Sequence, residues 1–351
     1  MAQLAEQLIC NQQVIGSIPV LGTEDLRYCM VSKVFLVYNV MGGGHMKNFS
    51  ENEWGLVLAG GGGKGAYQIG VFRALAEKKI DDYITAVSGS SVGALNLALF
   101  AMKDLNVAES VWKNISPDKF LDIEPDLIDM KEGFASREGL LEIIEDYVNL
   151  DAVSTSDMSL YVTATEYDEN GVGDGKARYF SLNYKGKDEI RDILLASSAL
   201  PTIYEPVRID GKLYRDGGLK DNLPIAPLYA EGIRHFIVVG LSTGTRINYD
   251  RFPDAEFVFI KPKYSIGEFV DGTLDFTAKG ARKRMEIGYI DAIRELEFSD
   301  KDLSDENNII LYQAAVDRDY KKLSYEFRKE ELEQEVNSNM DKLNDIIKKY
   351  S

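Results

Sequence analysis

Cysteine is nearly missing from this chain, and the two present, Cys10 and Cys29, both fall in the first thirty of its 351 residues. The main body therefore has no disulfide framework and no thiolate zinc site, and a reducing compartment suits it. Long apolar runs are missing as well. The nearest, Val31 to Met41, is interrupted by Lys33 and Asn39 and falls well short of the roughly 20 residues that span a bilayer. Glu6, Glu24 and Asp25 precede it where a secretory signal would be basic. Positive charge is in deficit, with 40 Lys and Arg against 57 Asp and Glu for a net charge of -17. That balance argues against nucleic acid and against broad adhesion to anionic membranes. Histidine is scarcer still, with only His45 and His235, so a Ser-His-Asp triad has little to draw on. Together these absences lead to the expectation of a cytoplasmic protein, peripheral wherever it meets a membrane.

What is present is ordinary globular material, 45% hydrophobic and 28% charged, in a chain long enough for one large domain with additions. Its most informative stretch runs from Thr85 to Asn96. An apolar run over Ile84 to Val87 stops at Gly89, passes Ser90 and Ser91, and resumes beyond Gly93 as a helical pattern. Gly89-x-Ser91-x-Gly93 between a strand and a helix has the spacing of a nucleophile elbow, which makes Ser91 the candidate nucleophile. A second strand-loop-helix unit precedes it. Trp54 to Ala59 runs into Gly60-Gly61-Gly62-Gly63-Lys64-Gly65, followed by a helix over Ala66 to Lys78. Such a loop is a nest of backbone N–H groups at a helix start, suited to negative charge. Gly60-x-Gly62-x-x-Gly65 also fits the dinucleotide fingerprint, with Asp81 and Asp82 near the expected place for the ribose acid. An oxyanion hole and a nucleotide cradle both remain open at this point, and the elbow serine two dozen residues later favours the former.

The serine needs a base. His235 opens an apolar strand, where a structural role is the commoner one, and His45 lies in a stretch without assignable period. An aspartate can act directly if a tight turn presents it and partial burial raises its basicity. The best seat is Asp216-Gly217-Gly218, which follows a hairpin turning at Asp210-Gly211.

In this order, Gly60-x-Gly62-x-x-Gly65, Gly89-x-Ser91-x-Gly93 and Asp216-Gly217-Gly218 resemble the three signatures of the patatin-like phospholipase family. Tyr161 to Thr165, Ala196 to Pro201, Asn222 to Pro224 and Gly288 to Ala292 are similar too. The likeness runs from about Trp54 to about Ile293. It implies an α/β fold of three layers, with a mainly parallel central sheet and helices on both faces. It also implies a lipid acyl hydrolase with a Ser91–Asp216 dyad, the Gly60, Gly61, Gly62 and Gly63 amides as oxyanion hole, and lipid as substrate. Lys64 occupies the family's Arg/Lys place in the glycine loop, and Gly65, Gly89, Gly93, Gly217 and Gly218 support the motifs. No metal or cofactor is needed for this chemistry. Acyl transfer to another alcohol, or nucleotide or lipid binding without catalysis, are the alternatives.

The domain organisation expected is a leader over 1–45, a catalytic domain over 50–298 and a charged extension over 299–351. Met41-Gly-Gly-Gly-His-Met46 suggests that Met46 is the biological start, the competing reading being an N-terminal hairpin over Tyr28 to Val40. Trp112 to Phe134 mixes apolar and acidic residues, as a cover over an acyl channel or as an ordinary connection. The basic cluster Lys279, Arg282, Lys283 and Arg284 reads as a solvated face or a head-group contact. In the extension, a strand is expected at Asn308 to Tyr312. A terminal helix carrying Leu332, Val336, Met340, Leu343 and Ile347 is expected to pack on the body or on a partner.

Overall fold

The computed structural model describes residues 49–114, 138–168, 174–201 and 203–350. The expected leader, with Cys10, Cys29, His45 and the Met46 start, lies outside them, as does the acidic stretch 115–134.

Eight strands and nine α-helices follow one another along the described residues. They are β1 (Trp54–Leu58), α1 (Ala66–Glu77), β2 (Ile84–Ser90), α2 (Val92–Ala101), α3 (Leu105–Asn114), α4 (Glu138–Tyr147), α5 (Leu150–Ser154), β3 (Ser159–Tyr167) and β4 (Lys176–Ser181). There follow α6 (Lys187–Ser197), β5 (Val207–Ile209), β6 (Lys212–Asp216), α7 (Ile225–Ala230), β7 (His235–Val239), β8 (Glu256–Ile260), α8 (Ala278–Glu297) and α9 (Glu306–Tyr350). One sheet holds all eight strands, in the order β5-β6-β3-β2-β1-β7-β8 with β4 also beside β3. Strands β3, β2, β1, β7 and β8 run parallel, and β4, β5 and β6 are antiparallel additions.

The period-two alternation of strand side chains divides the core between the two faces of the sheet. Leu56, Leu58, Val87, Ile237 and Val239 face the larger cluster, which includes residues of α1, α2, α6 and α8. Val57, Ala86, Phe236 and Val238 face the other way, onto Ile225 and Leu228 of α7. Strands buried on both faces read as unbroken apolar runs, and β1, with all five residues buried, is the clearest. The result is the expected three-layer α/β architecture.

The extension differs from expectation. Asn308 to Tyr312 is helical, inside α9, and forms no strand. Its Ile-Ile-Leu-Tyr run has local strand character, but the Asp305 carboxylate accepts the Asn307 and Asn308 N–H groups at 3.0 and 3.1 Å and starts a helix there. Tyr312, Val316, Tyr320 and Leu323 then recur at helical spacing, with Val316 and Leu323 buried. Tyr320 and Tyr67 of α1 both donate to the buried Asp291 of α8, at 2.9 and 3.0 Å. Contact with the body continues as far as Glu331, which meets Lys279 and Lys283 of α8. Leu332, Val336, Met340 and Leu343 are all exposed. Lys279, Arg282 and Lys283 form a solvated face, as one of the two readings had it, but one paired with acids of α9: Lys279 and Lys283 reach Glu331 at 3.3 and 3.0 Å, and Arg282 approaches Glu330 at 3.9 Å.

Candidate active site

One edge of β3 acts as a ruler. Strand β2 runs parallel along it and ends with Ser90 opposite Thr163. Strand β6 runs antiparallel along the same edge and ends with Asp216 opposite Ala164. The two strands meet end to end, so the residue just past one end faces the last residue of the other. Ser91 and Asp216, 125 positions apart, thus come into contact, with the Ser91 hydroxyl donating to Asp216 Oδ2 at 2.6 Å.

Ser91 has φ 55° and ψ -128°, a backbone conformation in which a side chain costs about 1–3 kcal/mol and which persists only where the surroundings enforce it. The enforcement is visible. The Ser91 N–H donates to Ser197 Oγ at 2.9 Å, and that hydroxyl donates onward to the Thr163 carbonyl at 2.6 Å. The turn is also crowded, since a Cβ on Gly89 would stand 2.3 Å from the Gly93 carbonyl, and one on Gly93 2.3 Å from that of Leu58. Both elbow glycines are required by space.

Asp216 is 4% exposed. Burial pushes its carboxyl up from 3.8 to about 6, against the opposing hydrogen bonds from the Ser91 hydroxyl and the Gly218 N–H. Oδ1 accepts that Gly218 N–H at 2.8 Å, while the Asp216 carbonyl accepts from Thr165 Oγ1 at 2.8 Å. A carboxylate so held is a stronger base than a solvated one and aims one oxygen at the serine.

The glycine loop leaves β1 on the strand beside the elbow, and its four members are not equivalent. The Gly60 N–H donates to Asn222 Oδ1 at 3.0 Å, and Asn222 Nδ2 donates back to the Gly60 carbonyl at 3.2 Å. That amide is already engaged, contrary to the expectation that all four face a substrate. Gly60, Gly61 and Gly62 line a cavity of about 310 Å³ together with Ser91, Asp216 and Asn222, whereas Gly63 does not; its other walls are mostly apolar, among them Leu95, Leu140, Leu200, Ile203, Leu274 and Phe276. Gly62, with φ +57°, and Gly63 lie under the segment 272–275, where a Cβ would stand 2.2 and 2.1 Å from the Thr273 and Asp275 carbonyls. Arg284, assigned from sequence to the basic cluster, is buried and holds this segment through the carbonyls of Ile266, Asp271 and Asp275 at 3.0, 2.6 and 3.0 Å. It also pairs with the Asp275 carboxylate at 2.9 Å.

The remaining expectations sort clearly. Lys64 is half-buried near Glu268, Arg284 and Asp271, and burial lowers its pKa; it does not line the cavity. Nor do the supporting glycines Gly65, Gly89, Gly93 and Gly217, whereas Gly218 does. His235 pairs with Trp54, which also pairs with Ile84 at the start of β2. It therefore sits at the opposite end of the strands from Ser91, about 20 Å away at ~3.3 Å per residue. Asp81 and Asp82 precede β2 at that same far end, so the two acids that would complete the nucleotide fingerprint do not stand beside its loop. The sequence marked Asn222 and Ser197 only as members of similar stretches. Their roles depend on partners 162 and 106 residues away, and no local signal reports that.

The chain is similar to several known proteins. Residues 56–229, about half of the chain, match the patatin-like phospholipase family. An NTE family protein of Mycobacterium tuberculosis (strain H37Rv) is 28% identical over 188 residues, which cover 53% of this chain and 48% of that one. A lysophospholipase NTE1 of Cryptococcus neoformans is 27% identical over 225 residues, covering 57% of this chain and 12% of that one. Among solved structures, VipD from Legionella pneumophila aligns over 70% of this chain and 67% of its own, with 15% identity and a TM-score of 0.47. The chain thus spans about half the length of the mycobacterial relatives and about an eighth of the fungal ones. All three signatures, from the glycine loop to Asp216, fall in or at the edge of the matched span, and the chain belongs to the patatin-like phospholipase family.

Proposed function

We propose that this protein is a serine lipid acyl hydrolase, cleaving fatty acyl esters of phospholipids or related lipids through Ser91 and Asp216. The observation that carries the reading is the 2.6 Å contact between those two side chains at the wall of a largely apolar cavity. Asp216 takes the Ser91 proton as the hydroxyl oxygen attacks the ester carbonyl. The Gly61 and Gly62 N–H groups receive the negative charge that develops on the carbonyl oxygen, a task for which Gly60 is not free. Collapse of the tetrahedral species expels the alcohol, which leaves with the proton from Asp216. Water then attacks the acyl-enzyme as Asp216 takes its proton, the bond to Ser91 Oγ breaks, that oxygen recovers the proton from Asp216, and the fatty acid departs. The apolar walls favour an acyl chain over a polar head group as the cavity's occupant. Work at a lipid surface from a cytoplasmic position fits the same reading.

Treatment with a fluorophosphonate probe and turnover of a medium-chain nitrophenyl ester test it. The wild type is expected to label at Ser91 and to hydrolyse the ester, while Ser91→Ala does neither. Retained turnover by Ser91→Ala would overturn the reading, and acyl products formed with added alcohol in preference to water would redirect it to acyl transfer.

A further inference from the structure

Four successive glycines are the least suitable sequence for a fixed constellation of donors. Each lacks a side chain to pack and has the widest choice of backbone conformations to give up. An oxyanion hole, by contrast, works only if its N–H groups are already aimed before charge develops. The loop must be held from outside.

Behind it, away from the cavity, lies a chain of buried amides. The Trp112 indole N–H donates to Asn96 Oδ1 at 2.9 Å. Asn96 Nδ2 donates to the Gly65 carbonyl at 3.0 Å and to Gln68 Oε1 at 2.7 Å. Gln68 Nε2 donates in turn to the Ala59 carbonyl at 2.8 Å. Gln68 and Asn96 are 0% exposed and Trp112 is 2% exposed. The two carbonyls so gripped flank the loop on either side, Ala59 just before Gly60 and Gly65 just after Lys64. Because a peptide is planar and trans, fixing the Ala59 carbonyl aims the Gly60 N–H the opposite way, and there it meets Asn222. Asn96 lies in α2, the helix that begins immediately after Ser91. The chain therefore ties both ends of the glycine loop to the same rigid element that carries the nucleophile.

We propose that Gln68, Asn96 and Trp112 are positioning residues that set the Gly61 and Gly62 N–H groups relative to Ser91, so that their effect is felt in the transition state and hardly at all in substrate binding. None of them lines the cavity. The inference rests on the acyl hydrolase reading above. A fully satisfied buried polar chain is rigid, and loss of one member leaves its neighbours without partners and free to shift. A displacement of about 1 Å in such donors is enough for a rate loss of order 100-fold.

The test compares wild type, Gln68→Met and Trp112→Phe, the last removing the indole N–H together with part of the ring that packs against Gly65. Each is checked for the native melting transition before kinetics. The expected result is kcat lowered about 10- to 100-fold, a fraction of what removing a whole oxyanion donor does, with KM within about twofold. Affinity for an alkyl trifluoromethyl ketone, which forms an oxyanion on addition of Ser91, should fall in parallel, while inhibition by free fatty acid stays unchanged. Unchanged kcat in the folded Trp112→Phe variant, or equal losses for ketone and fatty acid, would overturn the proposal. Ser91→Ala runs alongside: if it retains turnover, the acyl hydrolase reading itself has failed, whereas an inactive Ser91→Ala beside fully active Gln68→Met and Trp112→Phe refutes only the positioning role.

Discussion

Replacing Asp216 with asparagine should make the protein more stable at neutral pH while removing its activity. The carboxyl is 4% exposed, and its pKa is raised from 3.8 to about 6 mainly by burial. A group whose folded pKa lies above its unfolded value binds its proton more tightly in the folded state. Its favourable contribution is complete below about pH 3.8 and is lost as pH rises through about 6. Above that pH the folded protein carries a buried charge opposed by about 2 pKa units, or about 3 kcal/mol at ~1.4 kcal/mol per unit. Asparagine removes the charge and keeps the geometry. Its Oδ1 can still accept the Gly218 N–H, and its amide can donate to Ser91 Oγ where the carboxylate accepted from it. Urea denaturation across pH 4 to 8 is the assay. The gain of Asp216→Asn over wild type should be near zero at pH 4 and approach about 3 kcal/mol by pH 7 to 8, with ester hydrolysis abolished throughout. In the wild type, kcat/KM should rise through about pH 6 as the base becomes available. A gain independent of pH would refute burial of charge as its cause, and a variant less stable than wild type at pH 8 would refute the reasoning altogether.

Other outcomes follow from single features of the structure. Ser91→Gly should raise stability by about 1–2 kcal/mol, since glycine tolerates the φ of 55° that serine does not; a melting curve below that of wild type would count against strain at the elbow. His235→Phe should keep nearly all activity, because the ring packs on Trp54 at a centroid distance of 5.3 Å, at the far end of the strands, and a loss beyond tenfold would bring histidine back as the base. Arg284→Met should destabilise by about 2–4 kcal/mol by leaving the carbonyls of Ile266, Asp271 and Asp275 without their buried donor. It should also raise KM for long-chain esters more than for short ones, since the same segment supplies Leu274 to the cavity wall. Equal KM changes for all chain lengths would refute that link.

Much of the molecule is legible without coordinates because its chemistry sits on local punctuation. A glycine loop after an apolar strand, an elbow with glycines two residues either side of Ser91, and a hairpin leading to Asp216 are each written within a dozen residues. Strand and helix periods around them suffice for the α/β layering. Misreadings arise where an element's environment is supplied from elsewhere. The Ile309-Ile310 run has strand propensity, yet it is drawn into α9 by the Asp305 cap before it and by packing against α8 after it. Lys279, Arg282 and Lys283 do form a solvated face, but the glutamates that pair with them are about fifty residues further on and cannot be read from their neighbours. Arg284, adjacent to them in sequence, points inward, and nothing in a run of four basic residues says which of them does.

By itself the sequence determined which side chains were available for chemistry, and near-absence of histidine narrowed the base to a carboxylate. Only the tertiary structure decided that Asp216 is the carboxylate that reaches Ser91, that Gly60 is engaged by Asn222, and that buried amides grip the loop from behind. The reason is one of range: propensity and turn chemistry act between near neighbours, whereas these contacts arise because β2 and β6 end against each other on a shared edge of β3.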